Sequence, residues 1–91
     1  MWLQGWYTSM CDGDWEHAFG VKIETLDNPG WSVAIDVNGT NLYDRPFERV
    51  QVERDEHDWV FAWVEDWKFN IACGPTSLSE ALWIFRKWAD A

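Results

Sequence analysis

At 91 residues the chain is expected to form one domain, 1–91, near the size at which folding buries roughly 60–68% of the extended chain's surface. Sixteen acids against seven bases give a formal net charge of −9. That balance argues against a nucleic-acid binder, whose affinity comes largely from Lys and Arg neutralising phosphates, and against an anionic membrane surface.

Trp2, Leu3, Trp6, Tyr7 and Met10 recur at helical spacing, which predicts a short helix over 2–10. The acidic segment 11–19 reads as a loop. Val21 and Ile23 alternate with Lys22 and Glu24 as in a half-buried strand, and Asp27-Asn28-Pro29-Gly30 makes a turn. Trp31, Val33, Ile35 and Val37 then share one strand face, after which Asn38-Gly39 gives a hairpin-turn signal. A third strand, 47–54, sets Val50 and Val52 against Arg49, Gln51 and Glu53, and Asp55-Glu56-His57-Asp58 is polar enough only for a turn.

The fourth strand, 59–65, is apolar on both faces, with Trp59, Phe61 and Trp63 opposite Val60, Ala62 and Val64. Such a strand lies inside a sheet or has its outer face covered. A tight turn at Asp66-Trp67 leads to a fifth strand, 68–72. Ser77 with Glu80 reads as a capping box for a last helix, 78–90, striped by Leu78, Leu82, Phe85 and Trp88 or Ala89. The expected fold is α+β and two-layered: a five-stranded antiparallel meander sheet with an N-terminal and a C-terminal helix on one face.

Cys11 and Cys73 fit no zinc or redox spacing and read as free thiols of a reducing compartment. No basic leader and no run approaching about 20 apolar residues is visible, so a cytoplasmic protein is expected. Asp12, Asp14 and Glu16 alternate around Gly13 somewhat as in a calcium loop, but the position that should carry the bidentate Glu is Ile23. His17 and His57 lack metal-ligand spacing, so neither a metal nor another cofactor is expected. The acids around Cys11 disfavour a thiolate, the reverse of what a reactive cysteine needs, and the chain is not read as an enzyme.

Two binding readings remain. Exposed tryptophans, with Trp15, Trp67 and the uncovered ring of the Trp59/Trp63 strand as candidates, could serve a small carbohydrate- or ligand-binding module, whereas Trp2, Trp6, Trp31, Trp83 and Trp88 fall on core-facing stripes. Alternatively, aromatic anchors ringed by charge suit protein recognition, with acid-rich loops at 12–16, 55–58 and 65–66. In a meander the last two loops lie at opposite ends of one strand, and 12–16 could adjoin either.

The runs Trp6-Tyr7, Cys11-Asp12-Gly13-Asp14-Trp15-Glu16-His17 and Ile23 to Trp31, with Phe47, Arg54, Asp58-Trp59, Gly74 and the Phe85–Trp88 helix, resemble immunity protein family 53 of bacterial polymorphic toxin systems. The resemblance implies a cytosolic protein that binds the C-terminal effector domain of a toxin encoded beside it and protects the producing cell; separately, a monomer or weak homodimer is expected. If that toxin is a nuclease its active site is basic, and an acidic inhibitor can offer carboxylates where phosphates would sit. On that hypothesis Asp12, Asp14, Glu16, Asp55, Glu56 and Asp58 supply charge, Trp15 and Trp67 are anchors, and His17 belongs to the same partner-binding set. The competing role for 12–17 is structural: Asp12 or Asp14 caps backbone amides, His17 bonds a neighbouring carboxylate, and the motif folds its own loop.

Overall fold

The computed structural model describes residues 1–91 and has the expected α+β architecture, with five antiparallel strands in one open sheet between terminal helices. The elements are α1 (Trp2–Met10), α2 (Trp15–Ala18), β1 (Val21–Leu26), β2 (Gly30–Asp36), β3 (Val50–Asp55), β4 (Asp58–Glu65), β5 (Lys68–Cys73) and α3 (Leu78–Ala89). Only α2, one turn inside the expected 11–19 loop, was absent from the sequence reading.

Strand order departs from a simple meander: the sheet runs β1-β2-β5-β4-β3. The chain leaves β2, crosses through residues 37–49 to the far edge, and returns through two hairpins so that β5 pairs with β2, Val33 opposite Ile71 and Ile35 opposite Phe69. Asn38-Gly39 is therefore a bend in a crossing loop, with Gly39 at φ 75°, and closes no hairpin. The order has a physical reason. The charged strands, β1 with Lys22 and Glu24 and β3 with Glu53, Arg54 and Asp55, take the edges, where unpaired backbone stays wet and charge discourages further pairing. Phe69, Ile71 and Cys73, essentially inaccessible, put β5 at the centre.

One sheet face carries Val33, Ile35, Val60, Ala62, Phe69 and Ile71 against α1 and α3. Phe85 of α3 is the hub, with ring centroids 5.0 Å from Trp6 and Phe69 and 5.8 Å from Trp2. Each such edge-on or tilted pair contributes about 0.5–1.5 kcal/mol beyond its buried area. The crossing loop is stitched to the same layer: Leu42 is buried, Arg45 Nη1 donates to the Trp88 carbonyl at the end of α3 (2.9 Å), and Trp88 Nε1 donates to the Pro46 carbonyl (2.9 Å).

Two expectations about α3 need correction. Ser77 does not cap the helix with its side chain; its hydroxyl donates to Asp58 Oδ1 (3.2 Å), and Glu80 is held by Arg54 instead of the capping box. Trp83, assigned to the core-facing stripe, is 56% exposed, with the Lys87 ammonium 5.3 Å from its ring centroid.

Candidate protein-binding surface

Antiparallel pairing sorts the acid-rich segments onto two ends of the sheet. At one end lie the start of β1, the 37–49 crossing, the β4–β5 turn and the 11–19 segment, joined by Gly20 N–H donating to Asp36 Oδ2 (2.9 Å) and Val37 N–H donating to the Trp67 carbonyl (2.9 Å). The opposite end holds the β3–β4 turn and the approach to α3, joined by Gly74 N–H donating to the Trp59 carbonyl (2.9 Å). A Cβ on Gly74 would run into the His57 carbonyl, so that approach requires glycine. The 12–16 segment thus adjoins the 65–66 turn, while 55–58 lies at the other end.

The Cys11–His17 motif folds its own loop. Asp12 Oδ1 accepts the amides of Asp14 and Trp15 (both 2.9 Å), and Glu16 reaches back to accept Asp12 N–H (3.0 Å) and Gly13 N–H (2.9 Å). This reciprocal arrangement works like a capping box, and Gly13, at φ 97°, supplies the left-handed step between its halves. Amides aimed at an anion stabilise it. The Asp12 carboxyl is accordingly held below its usual range, chiefly by the Trp15 and Asp14 amides, and that of Glu16 chiefly by its own amide with those of Asp12 and Gly13.

Trp15, expected as an exposed anchor, is 6% exposed. Its Nε1 donates to the Asn38 carbonyl (2.9 Å) and its ring lies edge-on to Trp6 (6.0 Å), so it pins the motif to the crossing loop. Of the motif candidates only Asp14 and His17 remain exposed with no side-chain hydrogen bond. Cys11 caps α1, its thiol donating to the Tyr7 carbonyl (3.3 Å), and the Cys73 thiol is buried, which pushes its pKa up.

Beside this loop stands the most exposed aromatic pair. Trp67, 51% exposed, stacks on Tyr43, 50% exposed, at 5.9 Å and an interplanar angle of 4°. The two-residue turn that presents it has positive φ at both Asp66 (53°) and Trp67 (57°), a conformation ordinarily served by Asn-Gly. A left-handed non-glycine residue costs of order 1–3 kcal/mol and persists where the surroundings impose it. Here the Val37–Trp67 hydrogen bond and the Tyr43 stack do so.

At the far end, Asp55 Oδ1 accepts the His57 amide (2.8 Å) and Glu56 Oε1 lies 3.1 Å from His57 Nε2. Asp58 is committed to the fold, since its Oδ1 accepts from Arg54 Nη1 (2.8 Å) as well as from Ser77. The helix-free face of β4 carries Trp59, Phe61 and Trp63, all half-buried, with Trp59 and Phe61 rings 5.2 Å apart and the Arg49 guanidinium 5.6 Å from the Trp63 ring centroid. Next to the first two opens a concavity of about 520 Å³ lined also by Asn28, Glu53, Arg54, Asp55 and Glu56.

The family model described as Immunity protein 53 matches residues 1–90. The chain belongs to the immunity protein 53 family. No curated protein and no solved structure matches it. Membership makes it an immunity protein with a cognate toxin as partner. Within this family member, the Cys11–His17 signature is used largely by its own fold: Asp12, Trp15 and Glu16 hold the loop, and Asp14 and His17 are left free. No helix is long and apolar enough to cross a membrane. Glu53, Phe61 and Tyr43 were not singled out from sequence. The first two were signalled by strand parity, which puts Gln51 and Glu53 on the aromatic face, opposite Phe61 and Trp59. Tyr43 lies in the crossing loop, whose path local sequence does not specify.

Proposed function

We propose that this immunity protein neutralises the C-terminal effector domain of its cognate toxin in the cytoplasm of the producing cell, its exposed carboxylates and aromatic rings meeting a basic surface. A nuclease, whose active site must attract phosphate, is the toxin class this chemistry suits. The reading requires binding and no catalysis by the chain itself.

The observation that carries it is how the charges are spent. Each of the seven cations is already engaged inside the molecule. Lys22, Arg54, Lys68 and Arg86 meet carboxylates, Arg45 meets the last carbonyls of α3, and Arg49 and Lys87 lie over Trp63 and Trp83. The side-chain charge left without a partner is therefore negative, including Asp14, Glu53, Glu65 and Asp66. A field of one sign steers an opposite partner, raising association rates in a salt-dependent way.

The test uses a catalytically inactivated form of the toxin effector domain encoded beside the gene. Immobilised chain should retain it with affinity that falls as salt rises, and co-expression should rescue growth from the active toxin. Failure of both retention and rescue sinks the proposal.

A further inference from the structure

The helix-free sheet face carries an aromatic row with no helix packed on it. Trp59, Phe61 and Trp63 form a row along β4, and both long helices pack on the opposite face. Small and polar side chains flank the row: Ala72 stands opposite Phe61 and Asn70 opposite Trp63 on β5, and Gln51 and Glu53 stand opposite Phe61 and Trp59 on β3. The two ends of the row differ. At Trp63 the Arg49 guanidinium already covers the ring. At Trp59 and Phe61 no cation does, and the concavity of about 520 Å³ opens beside both rings.

The walls of that concavity are acidic. Glu53 and Asp55 have no Lys, Arg or His within ion-pair distance, and Glu56 meets only the neighbouring His57. Arg54 lines the same space but cannot neutralise it, because its guanidinium is forked onto Glu80 and Asp58. Aromatic surface beside unpaired carboxylates is complementary to a guanidinium, which stacks on rings by cation–π attraction while its N–H fork meets carboxylates two at a time. Arg49 over Trp63 shows the stacking half of that arrangement on the same strand.

We infer that the concavity between the β3–β4 turn and the Trp59–Phe61 rings receives an arginine-bearing segment of the toxin effector domain. This rests on the toxin-binding reading above and names the surface that carries it. The arginine side chain lies on Trp59 and Phe61, with Glu53 and Glu56 closing on its head; the Trp67–Tyr43 end supplies a separate contact.

The experiment measures affinity for the inactivated toxin effector domain at one ionic strength. E53K/E56K is compared with D44K/E48K, which makes the same change in net charge at exposed positions of the crossing loop. The inference expects E53K/E56K to weaken binding at least tenfold more than D44K/E48K, both unfolding at the wild-type temperature. The neutral variant E53Q/E56Q, which should weaken binding in the same direction, keeps the test open if the lysines disturb the fold. Equal weakening by the two lysine variants overturns the inference, because only overall charge would then matter, while leaving toxin binding in place. Absence of binding by the wild type overturns the function reading itself, and the inference with it. A wild-type homodimer in sedimentation that the toxin domain does not dissociate, and that E53K/E56K does, assigns the concavity to a second copy and also overturns it.

Discussion

Arg54 and Glu80 meet through two parallel hydrogen bonds, Nη1 to Oε1 at 2.9 Å and Nη2 to Oε2 at 2.6 Å. Their fork joins edge strand β3 to the first turn of α3, and the same guanidinium takes Asp58 Oδ1 at 2.8 Å. Val50 of this edge strand packs on the core, and the charged fork ties its far end to the helix layer. Glu80 is held below the ordinary carboxylate range, chiefly by the Arg54 hydrogen bonds, and Arg54 is held above its own ordinary value by Glu80 and then Asp58.

The sign of the resulting pH dependence follows from that depression. A carboxyl whose folded pKa lies below its unfolded value, about 4.3 for Glu, stabilises fully above the unfolded value, and the contribution is lost as pH falls through the folded one. Asp12 and Glu16 are depressed in the same direction. The unfolding temperature should be flat from neutrality to about pH 5 and fall below it. Glu80→Gln should lower it at pH 7, and the gap should be smaller at pH 3, because the carboxylate's contribution is lost as pH falls through its depressed folded value. An equal gap between the two proteins at both pH values would refute the assignment.

Most element positions were legible because they depend on local period. Trp2, Leu3, Trp6 and Met10 mark α1 to the residue, and alternation marks the strands. What alternation cannot reveal is a strand's neighbour. The charge on β1 and β3 was the available clue to their edge positions, and the hairpin chemistry of Asn38-Gly39 pulled the reading the other way. Trp83 was misplaced because its hydrophobicity outweighed its angle: two residues before Phe85, at about 100° per residue, it must face away from the core. Trp15 sits among acids and so read as surface, but its burial is decided by Asn38 and Gly39, far along the chain. Site residues failed in the same way, since Asp58 looks free until Arg54 and Ser77 are brought to it by the fold.

Within the Cys11–His17 loop, charge removal should separate by position. Asp12→Ala removes the acceptor, and Glu16→Gln the charge, that organise the loop amides, and each should lower the unfolding temperature, because charge-assisted hydrogen bonds are lost. Asp14→Asn and His17→Ala touch no hydrogen bond of their side chains and should leave it unchanged. Thermal unfolding of the four variants checks this. A loss at Asp14 as large as that at Asp12 would contradict the reciprocal loop.

Phe85→Ala removes the ring on which Trp2, Trp6, Phe69 and Trp88 converge. A buried Phe→Ala change typically costs 3–5 kcal/mol, roughly the transfer energy plus the cavity left behind. Small domains have about 5–15 kcal/mol in hand, so the variant should be marginally folded, which urea denaturation would measure. A cost below about 1 kcal/mol would mean that the hub can collapse.

Trp67→Gly tests whether the left-handed turn serves binding or folding. Glycine accepts φ near 57° without the strain a tryptophan bears, which favours the variant by roughly 1 kcal/mol. Loss of the Tyr43 stack opposes it by about 0.5–1.5 kcal/mol, so net stability should change by less than about 1 kcal/mol. Affinity for the toxin effector domain has no such compensation. If the exposed ring is an anchor, deleting it should weaken binding at least tenfold, since truncating a tryptophan hot spot costs about 2 kcal/mol or more. Unchanged affinity with unchanged stability would leave the strained turn without a binding role. A large loss of stability would instead make the Trp67–Tyr43 stack part of the fold, holding the crossing loop against β5.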